Sequence, residues 1–124
     1  MSKINVFNAD DHPILRKGLT SLIIEADDMK WVGSAENGKD ALDKIRAIQP
    51  DVAILDIEMP DYSGIEVARI LLKEGTRTKF IILSLFNDEN FFKNAIKAGI
   101  KGYLLKESTE KEILSGIRTV NRGQ

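Results

Sequence analysis

The chain has 124 residues, 43% of them hydrophobic and 30% charged, with a formal net charge of −1 and no cysteine. A single domain of this size can bury a core, and the composition excludes a disordered segment, a disulfide framework and a thiolate metal site. The near-balanced charge leaves no electrostatic footprint for nucleic acid or an anionic membrane.

Taken in order, the start Met1-Ser2-Lys3-Ile4-Asn5 lacks the apolar stretch of a secretory leader, and no later run reaches membrane-spanning length. The expectation is a cytoplasmic protein that engages no membrane. Ile4 to Ala9 reads as a strand that ends in the acidic loop Asp10-Asp11-His12-Pro13. Pro13 suits the first turn of a helix, and Ile14, Leu15, Gly18, Leu19, Leu22 and Ile23 carry helical spacing to about Ala26. Trp31 to Ala35 is a short strand of mixed polarity, as at a sheet edge. Asn37-Gly38 is a turn signal, and Ala41, Leu42, Ile45 and Ile48 give the second helix its apolar stripe, which Pro50-Asp51 closes.

Val52 to Leu55 is a continuous apolar run that leads directly into Asp56, the pattern of a buried parallel strand. After the loop from Pro60 to Gly64, Ile65, Ala68, Leu71 and Leu72 mark a third helix ending near Gly75. Lys79 to Ser84 is a strongly apolar fourth strand that stops at a hydroxyl. Phe92, Ala95, Ile96 and Gly99 mark a fourth helix starting near Asn87-Asp88-Glu89. Gly102-Tyr103-Leu104-Leu105-Lys106 is a fifth strand ending in a cation, and Ile113, Leu114, Ile117 and Val120 line a last helix. Thr109, three residues before Glu112, forms a candidate capping box. Strands alternating with helices, without repeat or linker, predict an α/β domain with a parallel sheet covered on both faces. We expect the flavodoxin-like (βα)5 doubly wound arrangement with strand order 2-1-3-4-5, an order that periodicity alone does not select.

Four of these strands leave a polar residue at one sheet edge: Asp10 and Asp11, Asp56, Ser84, and Lys106. Singly, each has an ordinary structural use. A strand-end Asp caps a helix or forms a turn, a Ser bonds locally, and a Lys is solvated or paired. Together they differ, because three carboxylates brought to one edge repel and raise one another's pKa unless a cation lies among them. Hard oxygen ligands of this kind suit Mg²⁺, and a carboxylate so neutralised can act as a nucleophile towards phosphorus. Lys106 and the Ser84 hydroxyl then meet phosphoryl oxygens with charge-assisted hydrogen bonds.

With these residues in view, essentially the whole chain resembles a response-regulator receiver domain of two-component signalling. The motifs are Asp10-Asp11, the Asp56-Ile57-Glu58-Met59-Pro60 turn with Gly64, Ser84, and Gly102 to Lys106. The Asp-Asp-His-Pro opening, Lys106-Glu107 and Arg122-Gly123 are most similar to the NarL/FixJ type, in which a helix-turn-helix DNA-binding domain usually follows. The resemblance implies that Asp56 is the phosphoacceptor. It also implies that Asp10, Asp11, Asp56 and the backbone carbonyl of Glu58 hold Mg²⁺, with Asp11 a direct ligand and Asp10 acting partly through water. Ser84 becomes the switch hydroxyl, Lys106 the counter-ion, and Tyr103 the aromatic whose rotamer reports the movement. The implied donor is a phosphohistidine on a sensor histidine kinase, with small acyl phosphates as substitutes. The resemblance further implies a homodimer on phosphorylation and DNA reached only through a C-terminal domain beyond 1–124; the Arg122-Gly123 ending is what an excised receiver is expected to show. The activity expected is self-phosphorylation of a signalling switch and not enzymatic turnover. The alternative is a small Mg²⁺-dependent phosphohydrolase or phosphotransferase that uses Asp56 as nucleophile. A flavin or nucleotide carrier is disfavoured by acidic loops with no Gly-rich cradle, and a degenerate interaction module by the intact acidic pair, Asp56 and Lys106.

Several positions depart from the commonest pattern. Glu107 follows Lys106 where many receivers have proline, so a trans link or a rearranged loop is expected there. Leu85 follows Ser84 where a smaller residue is common, and its bulk opposes an inward swing of Tyr103. Asn8 needs partners if it is buried. Glu58 is either a solvated loop acid or a group that tunes phosphoryl lifetime or metal affinity. His12, a lone histidine at a helix start, is assigned to capping or the surface. Of Phe91 and Phe92, one is expected in the core and the other on the signalling face. Self-association through the first and fifth helices, or through the fourth helix, fifth strand and fifth helix, is equally open.

Overall fold

The computed structural model describes residues 3–85 and 89–123. Its elements are β1 (Ile4–Ala9), α1 (Pro13–Glu25), β2 (Met29–Ala35), α2 (Gly38–Ile48), β3 (Val52–Asp56), α3 (Gly64–Lys73), β4 (Lys79–Ser84), α4 (Glu89–Ala98), β5 (Gly102–Leu105) and α5 (Glu110–Asn121). The five strands form one sheet in the order β2-β1-β3-β4-β5, and every pairing is parallel. This is the flavodoxin-like order expected. Asn87 and Asp88, the expected start of the fourth helix, lie outside the described residues.

The period of two along each strand divides the core into two layers. Phe7, Ala53, Leu55, Phe80 and Ile82 face one side with Ala41, Leu42 and Ile45 of α2, Ala68 and Leu71 of α3, and Ala95 of α4. Val6, Val52, Ile54, Ile81 and Leu83 face the other side with Leu19 and Ile23 of α1 and Ile117 and Val120 of α5. All of β3 is buried, as a parallel strand covered on both faces must be. Edge strand β2 is only partly covered and begins at Met29, two residues ahead of the Trp31 expected, because Met29 and Lys30 pair with Ile4 and Asn5.

The helix starts follow local chemistry. Pro13 occupies the first turn of α1. The Thr109 and Glu112 side chains reciprocally cap α5, as expected. Ser63 and Glu66 do the same for α3, a second capping box not singled out from the sequence. The chain bends at Glu36 and Asn37, where a turn was expected, and Asn37 also caps α2 by accepting the Asp40 N–H at 2.7 Å.

On α4 the inner face runs through Phe91, Ala95 and Ala98, at helical spacing. Ile96, read as a marker of that helix, is therefore 57% exposed, and Phe92 is 45% exposed. Ile48 ends the α2 stripe at the rim and is exposed too. Asn8 is fully buried and fully satisfied. Its amide donates to Arg16 O and Thr20 Oγ1, and its Oδ1 accepts from Trp31 Nε1 at 2.8 Å.

Gly64, the first residue of α3, lies against the end of β3. A Cβ there would drive into the Asp56 carbonyl oxygen and come within 3.1 Å of its carbon. Backbone cannot yield as a flexible side chain does. Gly64→Ala is therefore expected to destabilise the fold by about 1–3 kcal/mol, measured as a lower urea midpoint. An unchanged midpoint would show that the α3 start has slack against Asp56.

Candidate functional site

The carboxyl ends of β1, β3, β4 and β5 open onto one edge, and each places a functional side chain there. Asp10 follows β1 at 2% exposure, Asp56 ends β3 at 1%, and Ser84 ends β4 with no exposed surface. Lys106 follows β5, and its backbone N–H donates to Ser84 O at 2.8 Å, which holds the lysine in register with β4. Its Nζ lies 2.9 Å from Asp56 Oδ2 and 3.8 Å from Asp10 Oδ2, and its side chain is almost fully buried. Asp11 stands at the rim, with its side chain 36% exposed.

The loop from Asp10 to Pro13 is tied down by its own hydrogen bonds. Asp10 Oδ1 accepts the His12 backbone N–H at 2.8 Å, a local turn that carboxylates favour. The Asp10 N–H donates to Ala35 O in β2, and its own carbonyl accepts from Arg16 Nη1 at 2.9 Å. Arg16, not singled out in the sequence, thus reaches back from the first turn of α1 to hold the strand end. The legible signal was a basic residue one helical turn beyond His12.

His12 is the larger omission. Its Nδ1 lies 3.0 Å from Asp10 Oδ1, 3.1 Å from Asp11 Oδ1 and 3.8 Å from Asp56 Oδ2. It occupies the N-cap position of α1, but its side chain makes no capping hydrogen bond. Of the two assignments, surface holds, with the side chain 56% exposed, and side-chain capping does not: the ring instead lies against the acidic cluster. Ligand-capable atoms of Asp10, Asp11, His12 and Asp56 all lie within 4.8 Å of one another.

Three carboxylates face one ammonium, leaving two negative charges uncompensated when all are ionised. Burial pushes the Asp56 carboxyl up to about 6, and the charge of Asp10 adds to the rise. The Lys106 hydrogen bond and charge, with the Glu58 N–H 3.3 Å from Asp56 Oδ1, pull it partway back. A compact set of hard oxygen donors with one exposed member fits Mg²⁺, which prefers a few carboxylates and retains waters.

The remaining predicted positions surround this cluster. Glu58 has an exposed side chain, and its backbone N–H is the group directed at Asp56. Tyr103 is half-buried, edge-on to Phe92 with ring centroids 5.6 Å apart and planes at 84°. Leu85, 61% exposed, lines a small hollow with Asp56, Ile57, Glu58 and Lys106. Among the described residues no peptide bond is cis, which agrees with the trans link expected after Lys106.

A family model described as the response regulator receiver domain matches residues 6–118. The chain belongs to that family. This receiver is 46% identical over 121 residues to the transcriptional regulatory protein DesR of Bacillus subtilis, covering 98% of this chain and 60% of that protein. It therefore spans less than two thirds of that curated relative. Among solved structures it is similar to the signal receiver domain of the response regulator NarL from Mycobacterium tuberculosis, at 32% identity and a TM-score of 0.97 with both chains fully covered. It is also similar to a DNA-binding response regulator of the LuxR family from Staphylococcus aureus, at 33% identity and a TM-score of 0.91, covering 95% of this chain and 98% of that one. The receiver assignment places the domain in two-component signalling, and no described helix is long and apolar enough to cross a membrane.

The raised Asp56 carboxyl has a thermodynamic consequence. The folded state binds its proton more tightly than the unfolded state does, so this group lowers stability as pH climbs from about 4 to about 6. A rise across that interval corresponds to about 3 kcal/mol. In metal-free protein, Asp56→Asn is expected to be the more stable form above pH 6 by up to that amount, with the gap closing below pH 4. Denaturant unfolding at several pH values reads this directly, and equal stabilities throughout would contradict it.

Proposed function

We propose that this receiver is a phosphorylation switch in which Asp56 accepts a phosphoryl group from the phosphohistidine of a sensor histidine kinase. The observation that carries the reading is the buried Asp56 carboxylate, 2.9 Å from Lys106 Nζ and crowded by Asp10 at the same sheet edge. An Asp56 oxygen attacks phosphorus, the bond from phosphorus to the imidazole nitrogen breaks, and the departing imidazole takes up a proton. Lys106 is already in place to meet the added negative charge, and the Ser84 hydroxyl is the donor drawn towards the new oxygens.

Asp10, Asp11, Asp56 and the backbone carbonyl of Glu58 are the groups that would hold Mg²⁺, with Asp11 as direct ligand and Asp10 partly through water. When bound, the ion neutralises the carboxylates and the phosphoryl oxygens, so that an anion can approach an anion. The chain does no turnover chemistry on an outside substrate in this reading: the phosphoryl group is the signal. A singly charged carboxylate becomes a bulkier, more highly charged acyl phosphate, and the packing around Ser84 and Tyr103 shifts between two populations.

Tyr103 is the aromatic that reports the shift, supported by its place beside Phe92 on the surface formed by α4, β5 and α5. Phosphorylation strengthens self-association of this domain. A C-terminal helix-turn-helix domain follows it, and DNA is bound only there; the regulator names of the relatives and the 60% coverage of DesR support this. The setting is cytoplasmic, where a kinase's phosphohistidine is accessible.

Mass spectrometry after incubation with acetyl phosphate and Mg²⁺ tests the proposal. The expected product carries one labile phosphoryl group that is absent in Asp56→Asn and reduced at least about tenfold in Lys106→Ala, with a larger mass by light scattering in the wild-type sample alone. Sustained phosphate release from unrelated esters would instead support the phosphohydrolase reading.

A further inference from the structure

Helices α3 and α4 lie side by side on one face of the sheet, and their carboxyl-terminal halves leave a groove of about 490 Å³ between them. It is lined by Arg69, Leu72 and Lys73 of α3 and by Asn94, Lys97 and Ala98 of α4. Leu72 and Ala98 pack against the core and form an apolar floor, while the other four side chains are exposed. Arg69 and Lys73 stand one helical turn apart on one wall, and Lys97 stands on the other. Every charge lining the groove is therefore positive, in a chain whose formal net charge is −1.

These cations are not used inside the domain. The lysine and arginine ion pairs among the described residues engage Arg16, Lys44, Arg46, Lys106 and Arg118, and none of the three groove cations. The acids that flank them on α3 are engaged elsewhere. Glu66 accepts the Ser63 N–H, and Glu74 is held by the Arg46 guanidinium at 2.7 and 3.0 Å.

The positive stretch is short. Past Arg69 and Asn94, towards the sheet edge that carries Asp56, the groove opens into a hollow bearing the carboxylates of Asp11, Glu58, Asp61 and Glu66. A polyanion that follows the groove, as nucleic acid would, runs into those carboxylates and is repelled. A polypeptide whose acids are confined to about two helical turns is not. An apolar floor between polar walls suits an amphipathic helix laid into a groove, and the planar Arg69 guanidinium suits a carboxylate. We propose that the α3–α4 groove is a docking site for a short acidic amphipathic helix of a partner protein. Its apolar stripe covers Leu72 and Ala98, and its carboxylates meet Arg69, Lys73 and Lys97. The site uses neither the metal-binding acids nor Asp56, so it stands independently of the phosphorylation reading.

The probe is a synthetic peptide of about four helical turns, capped at both ends, with leucines at helical spacing flanked by glutamates. Binding to the 124-residue chain is read at low salt by anisotropy of labelled peptide and by ¹⁵N amide shifts. The shifts are expected to centre on residues 69–73 and 94–98. Affinity is expected to fall about tenfold when glutamine replaces the glutamates, and by a similar factor in the double variant Arg69→Glu with Lys97→Glu. A peptide with lysine at the glutamate positions is expected to prefer that double variant over the wild type, a gain that a folding defect does not produce. Equal binding of the glutamate and glutamine peptides, shifts centred elsewhere, or no binding at all overturns the proposal. Tighter binding of a single-stranded oligonucleotide at the same residues overturns the assignment to a polypeptide.

Discussion

An aspartate with 1% exposure, bonded to one lysine and facing a second buried aspartate, is the constraint around which this receiver is built. Burying a carboxylate is costly unless it is paired, and here one ammonium serves more than one carboxylate. Lys106 moderates the cost without removing it, which is why the Asp56 carboxyl still sits near 6. The carboxylates at this edge are therefore held under electrostatic stress, which a proton or a cation relieves.

The fold imposes that stress through topology. Parallel strands point their carboxyl ends the same way, and β3 lies between β1 and β4, so residues distant in sequence meet at one edge. Apolar layers on both faces fix each strand in register, and the α3 start at Gly64 seats against the Asp56 backbone. The buried carboxylates of Asp10 and Asp56 are thereby held close together. On the other side of the site, Lys106 is tied through its backbone to Ser84, so the lysine that pairs with Asp56 also joins the ends of β4 and β5.

Most of this was legible in the sequence because periodicity and strand-end chemistry are local signals. The run Val52 to Leu55 located the central strand, and the polar residues after four strands located the edge. What escaped notice depended on relations between segments. His12 read as a cap or a surface group because sequence gives a side chain's neighbours along the chain, so its contacts with Asp10 and Asp11 were not foreseen. Arg16 was not singled out, because nothing along the chain places its guanidinium on the Asp10 carbonyl. On α4 the apolar residues Phe91, Phe92, Ala95 and Ile96 fit two adjacent faces, and only the position of the helix against α3 and the sheet selects Phe91 and Ala95 for the core. Asn8 is the converse case. The need for partners was evident, but Thr20 and Trp31 as those partners were not.

The central claim is that the sheet forces the Asp56 carboxylate into a site that disfavours its charge and that a divalent cation relieves. The most direct measurement is the side-chain carboxyl ¹³C titration of Asp56, with and without saturating Mg²⁺. The expected midpoint is about 6 in metal-free protein, moving clearly downward when the ion is added. A midpoint near the ordinary aspartate value of about 3.9, indifferent to Mg²⁺, would contradict it.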